Sequence, residues 1–156
     1  MPRPFYVLNG PNLNLLGVRQ PDVYGTATLS DIEASVQRLA DERATGLVFR
    51  QSNSEGELVT WIQEAREAAS AIVINPGAYS HTSIAILDAL TACDVPVVEV
   101  HISNIHRREE FRRHSYVSLR ADAVIAGFGV EGYAIAARYV LDLVVADGAP
   151  SSGSDT

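Results

Sequence analysis

The chain contains no lysine: all 12 residues of the Lys+Arg count are arginine. That absence removes imine catalysis, pyridoxal-phosphate anchoring and the P-loop lysine together, because each needs an amine that can give up its proton. Cysteine is almost absent too. The single Cys93 can neither close an internal disulfide nor build a Cys-rich zinc site, and reads as a small buried hydrophobe. No apolar run approaches the roughly 20 residues that span a bilayer, so a membrane partner is not expected. The start, Met1 to Arg3, shows no basic region leading into an apolar stretch, which makes the cytoplasm the expected compartment. Positive charge is scarce as well: 12 basic against 19 acidic residues give a net charge of −7, which repels duplex nucleic acid at long range.

What is present is an ordinary globular composition, with 156 residues of which 47% are hydrophobic, enough for one domain with a sizeable core. Short apolar runs predict strands at 4–9, 47–50, 71–74, 96–100 and 121–126. Between them, residues 10–26 read as a long loop. Thr28 with Asp31, and Ser54 with Glu57, open amphipathic helices as capping pairs. Further helices are expected over 83–92 and 133–145, with a short or irregular helical segment at 105–113. This alternation predicts one α/β domain over 1–147, with a Gly/Pro/Ser/Asp tail at 148–156 expected to be disordered or dispensable. It fits a flavodoxin-like, doubly wound, five-stranded parallel sheet in three αβα layers.

Ligands in such sheets bind beyond the carboxyl ends of the strands, where this sequence places Asn12 and Asn14, residues 51–55, 75–81 and 99–103. Asn14 and Asn53 read equally well as turn formers. Glu99 is different, because a carboxylate at the end of an otherwise apolar central strand needs a partner. His101, two residues on, shares its face, and the two form a candidate acid/base pair; a histidine merely satisfied at a strand end is the plainer alternative. Metal binding by His81, His101, His106 and His114 is not expected, since their spacing matches no ligand motif. Gly127 to Gly132 spells GxGxxG, yet no second strand and acidic residue follow, so helix–sheet packing explains these glycines better. The arginine-rich run 105–115 is diluted by Glu109 and Glu110 and suits a small anionic ligand or a subunit contact better than nucleic acid.

Four strings then carry a resemblance: LNGPNLNLLGVRQPDVYG at 8–25, QSNSEGEL at 51–58, INPGAYSHTSIAILDAL at 74–90 and VEVHISNIHRREEFRRHSYVS at 98–118. Together they resemble type II 3-dehydroquinate dehydratase from about residue 7 to 145. The resemblance implies a cofactor-free, metal-free lyase of the shikimate pathway, converting 3-dehydroquinate reversibly to 3-dehydroshikimate. It implies Tyr24 as the base, with Arg19 beside it. A tyrosine ionises near pH ~10, so half-ionisation at neutrality needs roughly 4 kcal/mol of help from a fixed cation. Asn12 would hold a water or polar contact near the enolate oxygen, and His101, oriented by Glu99, would protonate the departing hydroxyl. Asn75 and the backbone of Ile102 and Ser103 would hold the substrate hydroxyl and carboxylate, with His81 and Arg112 on the ring hydroxyls. Asp88 would act across a subunit interface in a homododecamer, a tetramer of trimers. Gln20 and Glu131 depart from the family's usual Glu and Gln, which bears on the lid over 10–26 and on an interface contact. The unrelated type I enzymes use a lysine imine, which this chain cannot make. A flavin-phosphate or phosphoreceiver module is the non-catalytic alternative, although the receiver's acidic pair and lysine are missing. An arginine-mediated RNA-binding module is the third reading.

Overall fold

The computed structural model describes residues 2–18 and 21–148, with the backbone alone for residues 23, 24 and 145–148. Five parallel strands, β1 (Phe5–Asn9), β2 (Leu47–Gln51), β3 (Ile72–Asn75), β4 (Val97–His101) and β5 (Ala123–Ala126), form one sheet in the order β2-β1-β3-β4-β5. The helices are α1 (Pro21–Tyr24), α2 (Leu29–Glu42), α3 (Glu55–Ala68), α4 (Ile84–Thr91) and α5 (Glu131–Gly148). Side-chain alternation sorts the core into two halves. Phe5, Val7, Val73, Val98 and Val100 pack with the apolar stripes of α2 and α5, while Tyr6, Leu8, Ile72, Ile74 and Val97 pack with those of α3 and α4. Covered on both faces, the three central strands are buried at every position, as apolar runs in a parallel sheet require. The expected flavodoxin-like, doubly wound architecture is the one observed.

Helix starts follow local chemistry. At α2 the capping box is complete: the Thr28 hydroxyl accepts from the Asp31 N–H and the Asp31 carboxylate accepts from the Thr28 N–H. At α3 only one half forms. Ser54 Oγ accepts from the Glu57 N–H, but the Ser54 N–H donates to Ser52 Oγ at 2.9 Å, so Glu57 is not needed to reach back.

Several expected boundaries shift. The stretch read as loop at 10–26 contains a 3₁₀ turn at Leu13–Leu15 and the short α1. Two further 3₁₀ turns, Gly77–His81 and Val117–Leu119, carry no apolar periodicity long enough to read. The last helix starts at Glu131 and runs to Gly148 rather than ending at residue 145, because nothing between Val145 and Asp147 breaks a helix. Residues 149–156 of the expected tail lie outside the described structure.

One glycine sets the geometry of the ligand-binding edge. The Gly10 N–H donates to the Asn75 carbonyl at 2.8 Å, and a Cβ on Gly10 would stand 2.3 Å from the Pro76 carbonyl oxygen. The loops that leave β1 and β3 are thus packed backbone on backbone. Gly10→Ala should lower stability by about 1–3 kcal/mol, the usual cost of overpacking, in urea unfolding followed by circular dichroism; an unchanged midpoint would show that these loops separate freely.

Candidate active site

In the observed strand order, neighbouring connections diverge between β1 and β3, the switch point at which open α/β sheets bind ligands. A cleft of about 620 Å³, its open mouth included, lies there. It is lined by Asn12 from the loop after β1, Asn75 and His81 at and after the end of β3, and His101, Ser103 and Arg112 at and after the end of β4. Ile102 also lines it. Three connections, spread over a hundred positions, thus converge because parallel strands all end on one edge.

The buried core of the site is the carboxylate of Glu99. It is fully buried and accepts hydrogen bonds from His101 Nε2, from Ser115 Oγ at 2.7 Å and from Ser118 Oγ at 2.6 Å. Burial alone would push this carboxyl up; the bond and charge of His101, with the two serine hydroxyls, outweigh burial and hold it below its ordinary value. An ionised carboxylate can only accept, so Nε2 of His101 carries the proton and Nδ1 is the ring nitrogen left to exchange one with a ligand. The pair expected from the two-residue spacing is formed, and the two serines that complete it were not anticipated. They sit 16 and 19 positions away in sequence, beyond the reach of any local pattern.

His81 is held as a hydrogen-bond acceptor. Its Nδ1 donates to the His114 carbonyl at 2.7 Å, which leaves Nε2 with a lone pair. Burial lowers its pKa, as do the charges of His101, Arg112 and Arg108, against the opposing pull of the His114 carbonyl. Arg112 is oriented by Glu109, whose carboxylate it meets at 2.8 Å. Arg108, absent from the expected set, also lines the cleft and reaches Ser103 Oγ at 3.4 Å. Its position could not be told from Arg107 or Arg113 in the same charged run.

Asn12 has a left-handed backbone, φ 68°, which asparagine tolerates better than most residues. Its N–H donates to Asn53 Oδ1 at 3.0 Å, and Gln51 bridges Asn53 and Asn14, so those two asparagines brace the loop. Asp88 is exposed on α4 and does not line this cleft. Arg19 and the side chain of Tyr24 lie outside the described residues, as does Gln20. Among the described residues, no three His, Cys, Asp or Glu side chains are grouped so as to hold a metal ion.

The family described as dehydroquinase class II matches residues 3–141. The chain belongs to the class II dehydroquinase family. It is 66% identical over 141 residues to the 3-dehydroquinate dehydratase of Streptomyces avermitilis, covering 90% of this chain and 89% of that one. It is 60% identical over 139 residues to 3-dehydroquinate dehydratase 2 of Agrobacterium fabrum, covering 89% and 95%. The crystal structure of type II dehydroquinase from Propionibacterium acnes superposes with a TM-score of 0.87 at 44% identity, covering 91% of this chain and 98% of that one.

Membership in the class II dehydroquinase family agrees with the fate of the GxGxxG string. The Gly127 and Gly129 N–H groups donate to the His101 and Ile102 carbonyls at 3.4 and 3.0 Å, so the turn ties α5 to the end of β4 instead of presenting donors to a phosphate. Glu131, one of the two departures, meets Arg138 at 3.7 Å on the exposed surface of α5.

The Glu99 environment has a measurable signature. Its carboxyl titrates lower in the folded chain than its ordinary 4.5, so the unfolded chain takes up the proton first and stability drains away as pH falls through that window. Glu99→Gln should cost about 1–3 kcal/mol near neutrality by mismatching one buried donor. That deficit should shrink below the ordinary carboxylate value; a deficit constant across the window would refute the assignment.

Proposed function

We propose that the chain catalyses the reversible dehydration of 3-dehydroquinate to 3-dehydroshikimate in the shikimate pathway. The observation that carries the reading is the buried Glu99–His101 pair at the switch-point cleft of a class II dehydroquinase. The substrate is an anionic, polyhydroxylated ring bearing a ketone. Although the protein carries −7 overall, its cleft gathers the guanidinium groups of Arg108 and Arg112, a local field suited to a carboxylate.

In the proposed mechanism, Tyr24 as phenolate removes the proton from the carbon between the ketone and the departing hydroxyl, with Arg19 favouring the ionised phenol. The electron pair moves onto the ketone oxygen as an enolate, beside a water or polar contact held by Asn12. When the enolate collapses, the carbon–oxygen bond on the far side breaks and His101 donates a proton to the leaving hydroxyl, which departs as water. Glu99 stabilises the imidazolium that precedes this transfer. Asn75 and the Ile102 and Ser103 backbone hold the hydroxyl and carboxylate, while His81 and Arg112 hold the ring hydroxyls. Tyr24 returns its proton, and His101 regains one, through solvent.

The reaction needs no metal, redox cofactor or imine. Asp88, exposed and outside the cleft of its own chain, reaches a neighbouring site in a homododecamer built as a tetramer of trimers. The 10–26 segment closes over bound substrate to exclude water. Cytoplasmic residence fits this pathway, and no described helix is long and apolar enough to cross a membrane.

Addition of 3-dehydroquinate should raise the ultraviolet absorbance of a conjugated enone, undiminished by chelator or borohydride; sensitivity to either would contradict the mechanism. Tyr24→Phe and Arg19→Ala should each lower kcat by about 100-fold or more, with substrate binding retained. Near-normal turnover in both variants would remove the base assignment.

A further inference from the structure

Tyr133, the third residue of α5, is the largest of the fully buried side chains among the described residues, and it sits behind the cleft, hydrogen-bonded to Asn75, rather than in it. Its hydroxyl donates to Asn9 Oδ1 at 2.7 Å and accepts from Asn75 Nδ2 at 2.8 Å. Neither amide can be turned over. Asn9 Nδ2 donates to the Arg50 carbonyl at 3.0 Å, and Asn75 Oδ1 accepts from the Gly77 N–H at 3.2 Å, so partners of fixed role define both ends. Four hydrogen bonds therefore run in one direction, from Gly77 through Asn75, Tyr133 and Asn9 to Arg50, and join the ends of β3, β1 and β2 to α5.

We propose that Tyr133 is a positioning residue for substrate: its hydroxyl takes one N–H of the Asn75 amide and thereby presents the other to a ligand oxygen in the cleft. The proposal rests on the reading that this cleft takes 3-dehydroquinate. Asn75 lines the cleft and Asn9 does not, so any effect of Tyr133 on a ligand must pass through Asn75. An amide has two N–H donors; with one committed to Tyr133 and its oxygen to Gly77, the side chain keeps a single orientation before substrate arrives. The position of Tyr133 follows from the approach of α5. A Cβ on Gly132 would stand only 3.4 Å from Ile125 Cγ2 and 3.5 Å from Val100 Cγ1, so the first turn of the helix lies low on the sheet and the tyrosine reaches across to β1 and β3. Burial pushes the phenol pKa up, so the hydroxyl stays a donor throughout the working pH range.

Tyr133→Phe, compared with Thr28→Ala as a helix-cap control outside the site, tests this. Tyr133→Phe should raise KM for 3-dehydroquinate about tenfold with kcat within about twofold, whereas Thr28→Ala should lower Tm and leave KM alone. Asn75→Ala should show the same rise, and the double variant should be no worse than Asn75→Ala. An unchanged KM, or effects that add in the double variant, would overturn the proposal. Independently of activity, the two Asn75 side-chain amide protons should differ in solvent exchange in the unmodified protein, one slow and one fast; two equally fast protons would also overturn it. If the unmodified protein leaves 3-dehydroquinate untouched, the functional reading fails, while the amide exchange still decides the role of Tyr133.

Discussion

A carboxylate has been placed in the middle of a strand that is buried at every position, and its charge must be answered there. Taking Glu99 out of water is costly unless donors replace the solvent. One donor comes from the same strand, two residues along; the other two come from Ser115 and Ser118, after the chain has left β4 and returned. The return is what assembles the cleft. Bringing those serines back folds the intervening segment over the ends of β3 and β4, which delivers Ser103, Arg108 and Arg112 to the cleft and the His114 carbonyl to His81. Stability and chemistry meet in one group: the donors that make its burial tolerable also hold it ionised beneath an imidazole.

A second polar cluster lies on the opposite face of the sheet. Glu99 projects toward the α3 and α4 side, whereas Asn9 and Asn75 follow Val7 and Val73 toward α2 and α5, where Tyr133 joins them. Each cluster is held by its own hydrogen bonds, and each ends on a residue that lines the cleft, His101 for one and Asn75 for the other. The floor of the site is thus pinned from both layers, while the 3₁₀ turns and loops above it carry the cationic contacts. Rigid strand ends suit groups whose angles matter, and loops suit groups that must admit and release a ligand.

Much of this architecture could be read in advance because it is local. Five apolar runs, the Thr28–Asp31 cap, and the two-residue spacing of Glu99 and His101 each involve neighbours within a few positions, and each was observed. Failures were local as well as long-range: the Ser54 box was only half formed because Ser52 took the N–H that Glu57 would have accepted, and α5 outran its expected end. For the site, a resemblance in loop sequence named seven of the residues that line the cleft, yet the one partner it placed on them was Glu99 on His101.

What linear order prescribes here is the succession of strands and helices, the burial of one carboxylate and the lack of any amine for imine chemistry, since periodicity and residue type are properties of neighbouring positions. Which side chains answer that carboxylate, and which hydroxyl sets the Asn75 amide, depended on strand order and helix docking. Tyr133 lies 124 positions from Asn9 and 58 from Asn75; contacts at such separations exist only once parallel strands have brought their ends to a common edge and a helix has been laid against them.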